Sequence, residues 1–175
     1  FTVAENMENR GEVVSCDLHA KRAKLVKTGG ERLGLGIITA RANDATVYDE
    51  SFGKFDKVLC DVPCSGLGVI RRKPEIRFKK PEDLQSLPKI QYRIAAASAK
   101  YLKEGGVLVY STCTLSRDEN ENVVKQLMER EGLLPEKLPE ELQKYSADGY
   151  SVTLLPGEIN SDGFYFARLR KGKAE

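Results

Sequence analysis

Short apolar runs, each the length of a buried strand, alternate along this chain with segments whose apolar residues recur at helical spacing. No other feature limits the fold so tightly. The strand-like runs are GEVVSCD (11–17), LGIITA (35–40), FDKVLCDVP (55–63) and GGVLVYSTC (105–113). Helical patterns run from about Ala20 to Leu33, from about Pro81 to Leu102 and from Arg117 to Glu131. A short helical or loop segment falls around Thr46 to Ser51, and an irregular stretch rich in Lys, Arg and Pro follows the third strand. Strands separated by helices read as parallel βαβ units, because parallel neighbours need a crossover long enough to hold a helix. The carboxyl end breaks the pattern. SVTLLP (151–156) and GFYFARLRK (163–171) are joined by the short linker containing EINSD, which permits only an antiparallel pair. The expected fold is α/β, a mostly parallel sheet ending in an antiparallel hairpin, with Leu133 to Asp148 as a surface excursion.

At 175 residues the chain is long enough for one domain with a sizeable core and too short for two, so residues 1–175 are expected to form a single domain. Its longest apolar run, Gly105 to Tyr110, is far below the roughly 20 residues that span a bilayer. The opening FTVAENMENR has neither the basic nor the apolar region of a signal peptide, so a cytoplasmic location and no membrane partner are expected. Four cysteines, at 16, 60, 64 and 113, lack the secretory context of a disulfide framework. With a single histidine, His19, and no paired C-x₂-C ligands, no metal is expected either. Cys16 and Cys60 lie inside strand patterns and are read as small core hydrophobes. The formal net charge of +2 says little about partners, but RRKPEIRFKK (71–80) sets six basic residues against Glu75. Arg71, Arg72, Lys73, Arg77 and Lys79 are either a solvated loop or contacts for nucleic-acid phosphates.

In an open α/β sheet, ligands bind beyond the carboxyl ends of the parallel strands. The residues there are Asp17 after the first strand, Asp44 after the second, Asp61, Pro63 and Cys64 after the third, and Ser111 to Thr114, with Cys113, after the fourth. Asp17 can accept from ribose hydroxyls or cap the following helix, and Asp44 can accept from an adenine amino group or close a turn. If the third and fourth strands are neighbours, their backbones lie about 5 Å apart and Cys64 and Cys113 face one pocket. Packed thiols, a redox pair, a metal pair and a catalytic pair all remain open on placement alone, although the C-x-x-C spacing of redox pairs is absent.

DVPCSGLGVIRRKPEIRF, YSTCTLSRDENENVV and LLPGEINSDGFYFARLRK, in that order over nearly the whole chain, strongly resemble the Sun (Fmu, RsmB-type) family of ribosomal RNA cytosine-C5 methyltransferases. The resemblance implies a Rossmann-like class I fold, S-adenosyl-L-methionine as cofactor and RNA as partner, with small-subunit ribosomal RNA the expected substrate. It makes Cys113 the nucleophile that adds to carbon 6 of cytosine, and Cys64 the base, or its assistant, in releasing the product. It places Asp61 beside both the cytosine and the methyl donor, and Asp17, Arg22 and Asp44 at cofactor-binding positions. One part of the family pattern is not found: the first strand and its glycine-rich loop, expected before FTVAENMENRGEVV. An N-terminally truncated catalytic domain, with a gap in its sheet, is the expected consequence; pairing with a partner chain is the alternative.

A transfer-RNA substrate fits the same motifs, and a non-catalytic RNA-binding fragment is the reading from a different class. DNA cytosine methyltransferases are disfavoured, because ENV (121–123) falls on a helix after STCT rather than at its own strand end. Oligomeric state is left open.

Overall fold

In the computed structural model, which describes residues 1–173, the strands form two separate sheets. Contacts divide the chain after Val47. The first unit holds α1 (Thr2–Asn6), β1 (Val13–Asp17), α2 (Ala20–Arg32) and β2 (Ile38–Ala42). β1 and β2 pair in parallel, from Val13 opposite Ile38 to Asp17 opposite Ala42, with α2 packed on both as the crossover. Ala23 and Gly30 are the residues α2 buries, and its lysines face outward.

The second strand begins three residues later than LGIITA suggests. Gly34 takes a positive φ of 69° at the end of α2, and the Leu35 N–H returns to the Gly30 carbonyl at 2.9 Å. Leu35 is therefore buried as part of the helix ending, where its apolar character serves as well as it would in a strand. Cys16 also departs from expectation. It is exposed, because among the described residues β1 pairs with β2 alone and lacks the cover that a central strand receives.

From Tyr48 onward the chain forms β3 (Phe55–Asp61), α3 (Pro81–Leu84), α4 (Leu87–Ala99), β4 (Leu102–Thr112), α5 (Glu121–Glu131), β5 (Leu133–Pro135), α6 (Glu140–Gln143), β6 (Ser151–Leu154) and β7 (Phe164–Lys171). The sheet order is β3-β4-β7-β5, with β6 also paired to β7. β3 and β4 are parallel, and β7 runs antiparallel to β4, β5 and β6, so the sheet is mixed. The β6–β7 pair is the hairpin expected at the carboxyl end. Cys60, Leu102, Leu108, Tyr110, Tyr165 and Leu169 from the sheet pack with Ala95 and Ala99 of α4 and Val123, Val124 and Leu127 of α5.

The helix expected from Pro81 to Leu102 is broken at Gln85–Ser86, and Leu102 belongs to β4. Pro88 lies in the first turn of α4, where its missing N–H costs nothing, and it favours a new helix start there. The helix expected from Arg117 starts only at Glu121, since Asn120 has non-helical φ and ψ of −110° and −95°. Leu133 to Asp148 is no surface excursion: β5 adds a strand to the sheet, and Leu133 and Leu138 are buried.

Candidate active site

β3 and β4 are neighbours in register, with Asp61 opposite Ser111, so the two strands deliver their following loops to one place. The Val62 N–H extends the pairing to the Ser111 carbonyl at 3.2 Å. Just beyond, the sulfurs of Cys64 and Cys113 lie 3.0 Å apart, and the Cys113 N–H points at the Cys64 sulfur at 3.3 Å. Both cysteines are partly buried. Burial, reinforced by the shared contact with Cys113, pushes the Cys64 thiol up to about 12. Cys64 therefore keeps its proton at neutral pH and can donate it to its neighbour. Asp61 is exposed at the end of β3 and accepts from the Ser111 hydroxyl at 3.3 Å.

Buried polar side chains fix both loops. Gln91, on α4, donates from Nε2 to the Pro63 carbonyl and to Glu119 Oε2, each at 2.8 Å. Glu119 Oε2 also accepts from the Ser65 N–H at 2.8 Å. Asn120 accepts from the Thr112 hydroxyl at 2.7 Å and donates to the Thr114 carbonyl at 3.0 Å. Nothing in the sequence pattern marks these residues, and Gln91 reads like its polar neighbours Lys89 and Arg93 on the same helix. A backbone crossing adds a further tie: the Gly68 N–H reaches the Cys113 carbonyl at 3.0 Å, and the Gly163 N–H reaches the Gly68 carbonyl at 2.8 Å.

The basic stretch divides into two groups. Arg71 and Arg72 pair with Asp162, a carboxylate only 3% exposed, at 3.2 and 2.6 Å. Lys79 donates to the Ser65 carbonyl at 3.0 Å, next to Cys64. Lys73 and Arg77 are exposed, and the Arg77 guanidinium lies over the exposed ring of Phe78.

In the first unit, Asp17 ends β1. Its Oδ1 accepts the His19 N–H at 2.9 Å and its Oδ2 meets Arg22 Nε at 3.1 Å. The N-cap residue of α2 is His19, so Asp17 is not itself the cap. Asp44 closes a turn, accepting from the N–H and hydroxyl of Thr46 at 2.9 and 2.8 Å. Among the described residues no group of three or more His, Cys, Asp or Glu could hold a metal ion, and no helix is long and apolar enough to cross a membrane.

Comparison with known proteins places this geometry in a family. The chain is 43% identical to the probable ribosomal RNA small subunit methyltransferase B of Bacillus subtilis, over 97% of its own length and 40% of that protein. It is 39% identical to ribosomal RNA small subunit methyltransferase B of Thermus thermophilus, over 91% of its length and 39% of that protein. It thus spans about two fifths of the curated relatives it matches. Among solved structures, NSun6 from Pyrococcus horikoshii, crystallised with SFG, is 32% identical and superposes with a TM-score of 0.86, over 98% of this chain and 44% of that one. An S-adenosylmethionine-dependent O-methyltransferase from Thermotoga maritima, at 15% identity and a TM-score of 0.56, shares the class I methyltransferase fold. Residues 2–170 match the 16S rRNA methyltransferase RsmB/F family, and the chain belongs to it.

Proposed function

We propose that this chain carries the centre that transfers a methyl group from S-adenosylmethionine to carbon 5 of a cytosine in RNA, with small-subunit ribosomal RNA as the substrate. All 175 residues would serve that one catalytic domain. The observation that carries the reading is the pair of sulfurs 3.0 Å apart at the ends of two parallel strands. When bound, S-adenosylmethionine supplies an electrophilic methyl on a sulfonium. Carbon 5 of cytosine is too weak a nucleophile to take that methyl unaided, and two sulfurs answer the difficulty.

Cys113 attacks as a thiolate, forming a sulfur–carbon bond at carbon 6 and turning carbon 5 into an enamine-like nucleophile. The Cys64 sulfur lies 3.0 Å from the attacking sulfur, within reach to hydrogen-bond it. Asp61 hydrogen-bonds the cytosine amino group or ring nitrogen as charge builds on the base. Once carbon 5 carries the methyl, its proton must leave and the sulfur–carbon bond must break. Cys64 suits a relay: its sulfur takes the carbon 5 proton while its own proton passes to the departing Cys113 sulfur. Both thiols are then restored and the ring double bond re-forms.

For the cofactor, Asp17 is the fitting acceptor for ribose hydroxyls. His19 and Arg22 use only two of the roughly four lone-pair positions of its carboxylate. Asp44 would accept from the adenine amino group, and Arg22 would hold Asp17 in place.

The test uses the full-length protein and its ribosomal RNA. Cys113→Ala is expected to abolish methyl transfer, whereas Cys64→Ala is expected to accumulate a covalent protein–RNA adduct that survives a denaturing gel. An adduct with Cys113→Ala, or none with Cys64→Ala, would overturn the assignment.

A further inference from the structure

Glu119 and Asn120 are adjacent in sequence, yet each holds a different cysteine loop. The Glu119 carboxylate binds the Ser65 N–H directly and reaches the Pro63 carbonyl through Gln91, so it grips the residues on both sides of Cys64. The Asn120 amide binds the Thr112 hydroxyl and the Thr114 carbonyl, the residues on both sides of Cys113. A hydroxyl contact of 2.6 Å between Ser65 and Thr114 closes the frame. The Tyr110 hydroxyl anchors it to the core by donating to the Glu119 carbonyl at 2.6 Å. Ser65, Gln91, Thr112, Thr114, Glu119 and Asn120 are all buried. Six buried polar side chains are a costly way to fill an interior. What they provide, and apolar groups of equal volume do not, is direction: each hydrogen bond fixes where a loop atom lies.

We infer that Glu119 and Asn120 form a positioning bridge that sets the separation and facing of the Cys64 and Cys113 sulfurs. Neither residue touches the reacting atoms, so both are positioning residues. The bridge rests on the cytosine-C5 reading only for its catalytic consequence; the cysteine geometry it sets can be measured without it.

The measurement is cross-linking of the two thiols by diamide in the full-length protein carrying Cys16→Ser, since Cys16 is exposed. The two S–H hydrogens pass to the N=N bond of the reagent, giving a Cys64–Cys113 disulfide and a hydrazine, and peptide mapping follows the disulfide. Glu119→Ala is expected to slow that reaction, and to lower kcat at nearly unchanged KM for RNA, each by about tenfold or more, as a displacement near 1 Å would do. Glu119→Gln keeps an acceptor for Ser65 and is expected to restore both rates to within about threefold of the parent. A folded Glu119→Ala variant that cross-links at the parental rate overturns the bridge, as does a Glu119→Gln variant equally impaired. Should Glu119→Ala fail to fold, Gln91→Met decides. It cuts the Pro63 link while sparing the Ser65 contact, and an unchanged cross-linking rate there overturns the bridge as well. If the parent cross-links rapidly and Glu119→Ala slows it, while the parent itself forms no 5-methylcytosine in its RNA, the bridge stands and the reaction assigned above falls.

Discussion

A charged side chain is worth what its surroundings make of it, and the basic stretch shows both extremes within seven residues. Arg71 and Arg72 expose much of their length, yet both terminate on Asp162, which is 3% exposed. Replacing both with Ala leaves a buried carboxylate without its cations, and unfolding free energy should fall by about 1–3 kcal/mol. Among the described residues, Lys73 and Arg77 meet no buried carboxylate. Among the described residues, Arg77 makes a 3.3 Å contact to the Pro74 carbonyl and approaches the ring of Phe78. Replacing Lys73 and Arg77 with Ala should leave urea unfolding unchanged and reduce the slope of log K against log salt for RNA binding by about one per residue. An unchanged slope would leave them solvated side chains of a loop. The sequence presents these residues as one cluster because Asp162 lies some ninety positions away, and only the folded chain separates structural from available charge.

At the level of elements, the two cysteine loops depend on two backbones crossing at Gly68 and Gly163. A β-carbon at Gly68 would sit 2.1 Å from the Gly163 carbonyl oxygen and 2.9 Å from that of Cys113, and both obstacles are main chain. Gly68→Ala therefore has to push the loops apart, with an expected loss of about 1–3 kcal/mol in chemical denaturation. A stability within experimental error of the parent would mean that the crossing relaxes freely. Much of the arrangement was legible beforehand. Apolar runs located β3 and β4, a linker too short for a helix located the β6–β7 hairpin, and the cysteines followed from the strand ends. What escaped the pattern has a common cause. Leu35 looks the same whether it closes a helix or opens a strand, and Leu133 and Leu138 lie among charged residues that disguise a core contact. Gln91 gains its role only when α4 packs beside a loop 28 residues earlier. Periodicity reports which face of an element is buried, and it does not report which polar group waits on the other side.

Across the whole molecule, the buried ionisable groups of the sheet core lean one way. Burial pushes Cys60 from an ordinary 9.0 to about 11 and Cys64 to about 12, and burial also raises the hydroxyls of Tyr110 and Tyr165. All four hold their protons more tightly in the folded chain than in the unfolded one. Below about pH 9 both states keep the thiol protons, so the contribution is fully present. As pH rises past 9 the unfolded chain releases thiol protons first, and stability falls until the folded values are passed. Glu136 has the opposite sign, since its hydrogen bonds to Arg170 hold it below its usual range and its contribution is lost toward acid. That pair is half-exposed and worth little. The expected profile is therefore lopsided: nearly flat from mildly acidic pH to about 9, then steeply downward. Cys60 alone accounts for about 2–3 kcal/mol of the alkaline loss, two pKa units at about 1.4 kcal/mol each. Cys60→Ala should accordingly be less stable than the parent at pH 7 and lose less on going from pH 8.5 to 11, with Cys64 and the tyrosines supplying what decline remains. Urea titrations followed by far-ultraviolet circular dichroism at those two pH values measure the difference. Parallel losses in parent and variant would show that the Cys60 thiol does not resist ionisation in the folded sheet.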